Sequence, residues 1–195
     1  MQTKVALTIL LFLFLTLPIC AQEAATEAPE KRHRYFNVFQ SGGLFGKKDR
    51  EASVTFSTFH GVQLQSVRLA LGTAYDSYEQ WRVVPVYAMV SVDLARIKAN
   101  YLYLSLAGGI GKAWYGKQNE WEPDFNADRA IAFSPVLGYR ILADKWNINI
   151  SAGYKWQRID YSYSNQYWDA YYRNATYSVE QVMERIVIQL GFGLN

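Results

Sequence analysis

The feature that most constrains the fold is a strict two-residue alternation of apolar and polar side chains. It is clearest between residues 146 and 157. The apolar positions are Trp146, Ile148, Ile150, Ala152, Tyr154 and Trp156. The intervening positions are Asn147, Asn149, Ser151, Gly153, Lys155 and Gln157. Because successive side chains of a β-strand point to opposite sides, this pattern predicts a strand between an apolar and a polar environment.

The alternation recurs along the chain, without a sustained helical period of 3.6 residues. Two segments are less regular, since His60 interrupts one apolar face and Gly42-Gly43 suggests a bulge in another. In all, eight strands are predicted, over residues 35–46, 52–64, 67–76, 84–94, 102–114, 131–141, 146–157 and 185–194.

The connectors between these segments alternate in length. The short ones lie near residues 65–66, 95–100 and 142–145. The longer ones lie near residues 47–51, 76–82, 115–128 and 161–176. Short periplasmic turns opposite longer extracellular loops are typical of outer-membrane barrels. The predicted fold class is therefore all-β, an eight-stranded antiparallel up-and-down transmembrane β-barrel.

Alternation alone does not decide which face is inside, because a soluble barrel alternates with its apolar face inward. Two observations favour a membrane barrel. The polar face is rich in Gly, Ala, Ser and Asn, which suit a crowded interior. Aromatic residues also cluster at strand ends, as in interfacial girdles. These residues are Trp81, Trp114, Tyr139, Trp146, Tyr154 and Trp156.

The amino-terminal segment has the pattern of a secretory signal. Lys4 precedes an apolar run over residues 5–19, and Ala21 is a plausible cleavage position. The run is shorter than the roughly 20 residues that a spanning helix needs. We therefore predict a signal peptide at 1–21, a flexible periplasmic leader at 22–34 and the barrel at 35–195.

Charge and cysteine content exclude several functions. The sole cysteine, Cys20, lies in the predicted signal, so the remaining chain has no disulfide and no thiol nucleophile. Lipidation of Cys20 is an alternative, although Ile19 is bulky for such a site. Without Lys4 the net charge is one less than the +3 of the full sequence, too weak a charge to suggest nucleic-acid binding.

Four stretches carry a family resemblance: 58–64, 69–78, 102–111 and the final 187–195. With them the chain resembles the small eight-stranded outer-membrane β-barrel proteins, the group of the OmpA transmembrane domain and the OmpX-like barrels. The resemblance implies a Gram-negative outer membrane, contact with its lipid and lipopolysaccharide, and a last strand read by the barrel-insertion machinery. The chain departs from the common form by ending in Asn195 rather than Phe.

The predicted lumen contains six charged side chains. They are Arg68, Asp76, Asp93, Arg140, Lys155 and Arg185. Eight strands enclose an interior just wide enough for side chains to fill, so these charges should pair with one another. The favoured interpretation is a structural polar network, and the alternative is a gated path for a small solute or ion.

Some small outer-membrane barrels modify lipid A, so we compare this sequence with the catalytic residues of those enzymes. The palmitoyltransferase type uses a His with an Asp-Ser pair, here His60 with Asp76-Ser77. The predicted strands separate His60 from Asp76 by about 20 Å along the strand direction, too far for a hydrogen bond. The deacylase type needs His-x-Ser, but Val62 and Tyr35 follow two positions after the two histidines. No catalytic residue, metal site or cofactor is predicted.

The long connectors 115–128 and 161–176 are rich in Tyr, Trp and Asn, which make adaptable recognition surfaces. The predicted recognition residues are Trp121, Phe125, Tyr167, Trp168, Tyr171 and Tyr172. Alternatively, these aromatics extend the barrel wall above the membrane. The predicted function is non-enzymatic: envelope structure, surface recognition of an extracellular or outer-membrane protein, or an accessory role in a larger assembly. The alternatives are a narrow channel and a lipid A-modifying enzyme.

Overall fold

The computed structural model describes residues 34–46, 53–116, 125–143, 145–165 and 175–194. The predicted signal peptide and nearly all of the predicted leader lie outside these residues. The described part of the chain forms eight strands. They are β1 Arg34–Phe45, β2 Ser53–Leu64, β3 Val67–Ser77, β4 Trp81–Ile97, β5 Asn100–Tyr115, β6 Phe125–Ala143, β7 Trp146–Asn165 and β8 Ala175–Leu194.

The strands close into a barrel in sequence order. Each strand pairs antiparallel with the next, and β1 pairs with β8 from Asn37↔Leu194 to Phe45↔Ile186. This closure gives every strand two neighbours and leaves no unpaired sheet edge. The predicted fold class, an eight-stranded up-and-down barrel, is confirmed. In the described ranges, no helix is long and apolar enough to cross a membrane.

The two ends of the barrel differ. One end, called the turn end here, has two-residue turns at Gln65-Ser66 and Lys98-Ala99 and holds the start of β1 and the end of β8. Gln65 and Lys98 take positive φ angles of 57° and 59°, as tight hairpin turns require. The opposite end, called the loop end, holds the ends of β1, β3, β5 and β7 and the starts of β2, β4, β6 and β8.

The wall is taller on one side at the loop end. β7 and β8 each have 20 residues, whereas β2 has 12. The two long connectors are consequently shorter than predicted, at 116–124 and 166–174 instead of 115–128 and 161–176. The predicted boundaries were wrong because strand pairing continues through Tyr-Ser-Tyr-Ser and similar residues beyond the apolar band.

The predicted orientation of the faces is confirmed. Large apolar side chains such as Leu71, Ile110 and Ile186 lie on the outside, with 59 to 68% of their surface exposed. The inner face carries small, polar and aromatic side chains that bury one another. Gly138 shows how tight the packing is: a Cβ atom there would lie 2.7 Å from Cε1 of Tyr103. Only a glycine lets that ring lie against the wall.

Candidate functional site: the lumen and its loop end

A buried ion pair crosses the lumen in its loop-end half. The Lys155 ammonium on β7 donates to Oδ1 of Asp76 on β3 over 2.5 Å, and both side chains are almost fully buried. Thr55 on β2 donates to the same oxygen over 2.6 Å. Such a pair is stable in a low-dielectric interior only when hydrogen bonds complete it. It ties strands together across the barrel.

A second ion pair lies in the turn-end half. Arg140 donates to Asp93 over 2.7 Å, with 3% and 7% of the two side chains exposed. Arg140 also donates to Asn149, which in turn donates to Asn147 over 2.6 Å. The Arg140 guanidinium lies 4.6 Å from the centre of the Tyr103 ring. All members of this polar network are side chains that the sequence alternation assigned to the interior.

Two further arginines complete the six predicted lumen charges. Arg68 is 5% exposed and lies 5.1 Å from the centre of the Phe36 ring, close to the turn at Gln65. Arg185 is 7% exposed, lies opposite Lys155 across β7 and β8, and contacts the Tyr78 ring. The structure thus places all six inside, in two groups of three: Asp76, Lys155 and Arg185 toward the loop end, and Arg68, Asp93 and Arg140 toward the turn end.

An aromatic cluster, called the aromatic plug here, fills the lumen at the loop end. It consists of Trp81, Tyr115, Phe125 and Tyr161, with ring centres 4.2 to 6.4 Å apart. The Trp81 indole is 2% exposed and donates to Gln181 over 2.9 Å. The plug rests on a buried apolar layer. It closes the outermost part of the lumen with apolar surface instead of charge.

The prediction that Trp81 belongs to a lipid-facing girdle is therefore wrong, because its side chain is buried inside the barrel. Its position on β4 has the same parity as Tyr87 and Ser91, which also point inward. Beside it, Tyr78 donates a hydrogen bond to Gln157. Burial and the nearby Asp76 carboxylate raise the pKa of Tyr78 well above its ordinary value, so the hydroxyl keeps its proton.

Phe125 is the one predicted recognition residue that the structure describes. It lies in β6 and not in a loop, and its ring packs 4.2 Å from that of Tyr115. A register shift between Ala127 and Arg129 turns this end of β6 over, so that Phe125 points inward. The other predicted recognition residues, Trp121, Tyr167, Trp168, Tyr171 and Tyr172, lie outside the described residues.

Two tyrosines carry the aromatic surface to the rim. Tyr163 stacks on Tyr177 with ring centres 5.4 Å apart, and Tyr163 also packs against Phe125 at 5.5 Å. Tyr177 is 47% exposed. This rim pair stands where β7 and β8 lead into the connector 166–174. The sequence placed both residues near the long loops but gave no sign that they stack.

The outer wall carries aromatic residues near both ends of its apolar band. Trp146 stacks on Phe192 at the turn end, with ring centres 4.6 Å apart. Toward the loop end, Trp114 is 43% exposed beside Tyr75. Beyond this level the outer face becomes charged, with ion pairs from Arg158 to Asp160 and Glu180. The apolar band therefore ends below the loop-end rim.

His60 and Asp76 lie on opposite sides of the wall. His60 points outward, with its ring nitrogens 2.7 Å from Tyr35 Oη and 3.0 Å from Thr58 Oγ1. Asp76 is inside, and in the β2–β3 register it lies five positions beyond Leu71, the partner of His60. The two side chains cannot meet as a catalytic pair. Across the described residues, no three His, Cys, Asp or Glu side chains come together as a metal site.

A closed barrel of eight strands, apolar outside and filled by charged and aromatic side chains, is a small barrel of the outer-membrane type. Its fold is similar to that of Neisserial surface protein A, with a TM-score of 0.56 and 11% identity over 82% of this chain and 95% of that one. It is also similar to the outer membrane protein OprG from Pseudomonas aeruginosa, with a TM-score of 0.52 and 11% identity over 85% and 96%.

No protein-family model matches the sequence. No curated protein matches it either. At 11% identity the two structural similarities show the fold alone. The resemblance to small eight-stranded outer-membrane barrels that the sequence predicted is confirmed at that level.

Proposed function

We propose that this protein is a non-enzymatic barrel of the outer membrane whose loop end faces outward and takes part in surface recognition. The closed wall supports the membrane location, because a barrel satisfies all backbone hydrogen bonds where no water is available. The difference in connector length supports the orientation, with the turn end toward the periplasm.

The observation that carries the recognition role is the rim pair Tyr163 and Tyr177. The stacked rings continue the buried plug up to the surface, so an exposed aromatic face is held on a rigid support. Tyrosine at such a site offers a large contact area at low conformational cost, and its ring packs on sugars or protein side chains. The partner we propose is an extracellular or outer-membrane protein.

Two other observations argue against the alternative functions. The apolar layer under Trp81 obstructs a path for ions or polar solutes through the lumen. The wall separates His60 from Asp76, which removes the residue combination that suggested a lipid A-modifying enzyme. Lipid and lipopolysaccharide would contact the outer wall, and the barrel-insertion machinery would read β8. An accessory or structural role in the envelope is compatible with the same geometry.

The test is to replace residues 163–177, which include the rim pair, by a Gly/Ser linker of equal length and to compare crosslinked complexes recovered from outer membranes. The replacement removes Tyr163 and Tyr177 and shortens β7 and β8 only at their loop ends. The control replaces 47–52 in the same way, on the side of the barrel where strands are short. We expect the first variant to fold and lose its crosslinked partner, and the control to keep it. Unchanged crosslinking in the first variant would contradict the recognition role.

A further inference from the structure

Between the two ion pairs the lumen contains a partly open cavity of about 40 Å³. This is room for a few water molecules or for one monatomic ion with some of its water, but not for a larger solute. The cavity has an apolar side, which includes Phe59, Met89 and Val136, and a polar side that β1, β2, β4, β5, β6, β7 and β8 supply.

The polar side of the cavity has the chemistry of an anion site. Among the described residues that line it, Lys155 is the only charged one and none is a carboxylate. Hydroxyl groups come from Tyr87, Ser105 and Ser134, and amide groups from residues that include Gln189. Hydroxyl and amide groups can all donate hydrogen bonds, so a negative ion would be met by donors on several sides.

Two lining groups have donors to spare. Lys155 gives one of its three ammonium protons to Asp76 and keeps two for other partners. Tyr87 is 3% exposed, and its Oη atom has no hydrogen-bond partner among the described residues. A buried hydroxyl without a partner costs about 1 to 3 kcal/mol. A ligand that accepts from Tyr87 would remove that cost.

The summed charge of the lumen has the matching sign, while the Lys155–Asp76 pair beside the cavity is neutral by itself. Four cationic and two anionic side chains are buried in the described part of the lumen. Lys155 stands directly opposite Arg185 on the neighbouring strand, both pointing inward. Like charges opposite one another in a sheet repel, and a nearby anion relieves that repulsion.

We infer that the cavity binds one small monatomic anion, of the halide class, held by the Lys155 ammonium and the Tyr87 hydroxyl. The anion is a structural counter-ion for the lumen. This inference goes beyond the proposed surface function and does not depend on it, since the cavity lies inside the barrel and away from the rim.

The test uses bromide, which anomalous X-ray scattering locates. The full chain is refolded from urea into detergent with bromide as the only halide, and crystals are measured at the bromine absorption edge. We expect one anomalous peak inside the barrel beside Lys155. Peaks on the protein surface alone, meaning an adventitious ion only, or no peak at all would overturn the inference.

Tyr87→Phe tests the site with little risk to folding, because its hydroxyl bonds to no described side chain. Crystals from a bromide titration, with gluconate as the balancing anion, should show binding about tenfold weaker. Tyr154→Phe removes the same atom from the lipid-facing wall and should bind bromide like the native chain. Native-like binding by Tyr87→Phe would overturn the inference.

A second pair of variants tests the charge. Lys155→Met with Asp76→Asn removes both charges of the ion pair, so no unpaired charge is left behind, and should abolish the internal peak. Arg140→Met with Asp93→Asn makes the same change at the ion pair that does not line the cavity, and should keep the peak. A peak that survives the first double variant, or disappears in the second, would overturn the inference.

Discussion

The two halves of the lumen are filled in different ways. In the turn-end half, Arg140, Asp93 and two asparagines form a polar network that an aromatic ring covers. In the loop-end half, the Lys155–Asp76 ion pair lies beneath the apolar layer and the aromatic plug. Both arrangements bury charge with partners, and the turn-end half also has a buried apolar cluster that includes Phe36, Val38 and Met89. Among the described residues, the aromatic plug that lies above the buried charge belongs to the loop end.

The difference teaches where the barrel is sealed. A polar network can exchange hydrogen bonds with water and still keep its shape, whereas an apolar plug excludes water. The plug takes one ring from each of β4, β5, β6 and β7, at the loop ends of these strands. We therefore assign closure to the loop end and strand-to-strand support to both ion pairs, and four sets of variants probe this division.

The largest expected effect is that of Asp76→Ala. It leaves the buried Lys155 ammonium without its carboxylate and Thr55 without its acceptor, and should lower the free energy of unfolding by about 3 to 5 kcal/mol. Urea unfolding in detergent, followed by tryptophan fluorescence and gel mobility, measures it. Asp160→Ala removes a carboxylate that is ion-paired on the outer wall and should leave the unfolding midpoint unchanged. Equal losses of stability in Asp76→Ala and Asp160→Ala would show that burial of an ion pair does not change its contribution to stability.

Trp81→Ala should be nearly as severe, since it empties the centre of the plug. Truncation of a buried tryptophan costs about 3 to 5 kcal/mol. Trp114→Ala removes the same side chain from the outer wall, where it is 43% exposed, and should cost clearly less in the same unfolding assay. If the two variants were equally stable, Trp81 in the plug would contribute no more to the free energy of unfolding than Trp114 on the outer wall does.

Gly138→Ala probes the turn-end half. The added methyl group would overlap the Tyr103 ring, and overpacking of this kind costs about 1 to 3 kcal/mol. Gly108→Ala is its matched control, because a Cβ there would meet only Phe133 at 3.9 Å. Thermal unfolding compares them. A Gly108 variant less stable than the Gly138 variant would contradict the packing described for the Tyr103 ring.

The smallest expected effect is that of Arg140→Met combined with Asp93→Leu. Replacing a whole buried ion pair by apolar side chains is often neutral, so we expect stability within about 1 kcal/mol of the native chain. Asp93→Ala alone should instead destabilise the barrel, as Asp76→Ala does. A large loss in the double variant would show that the turn-end network determines the fold and does not merely fill space.

Much of this structure could be predicted from alternation alone. The two-residue period located the strands, their inner and outer faces and the six inward charges. It could do so because a one-residue slip would expose charge to lipid along a whole strand. It could also have placed Trp81 inside, since that residue shares the parity of Tyr87. Aromatic enrichment at strand ends suggested a girdle instead, and parity was the better guide.

Other features could not be predicted this way. The Phe125 side chain points inward because of a register shift, which the pattern of residues does not reveal. The pairing of Asp76 with Lys155 joins strands that are not neighbours, so it depends on the tilt and stagger of the closed barrel. The cavity depends on which side chains happen to leave space, a property of three-dimensional packing.

The account depends most on the closure of the lumen by the aromatic plug. Single-channel recording of the native chain in planar bilayers tests this directly, with Trp81→Ala measured alongside. We predict no discrete conductance steps from the native chain, and steps from the variant if its barrel remains folded. Stable, reproducible steps from the native chain would contradict the account and would favour a narrow channel.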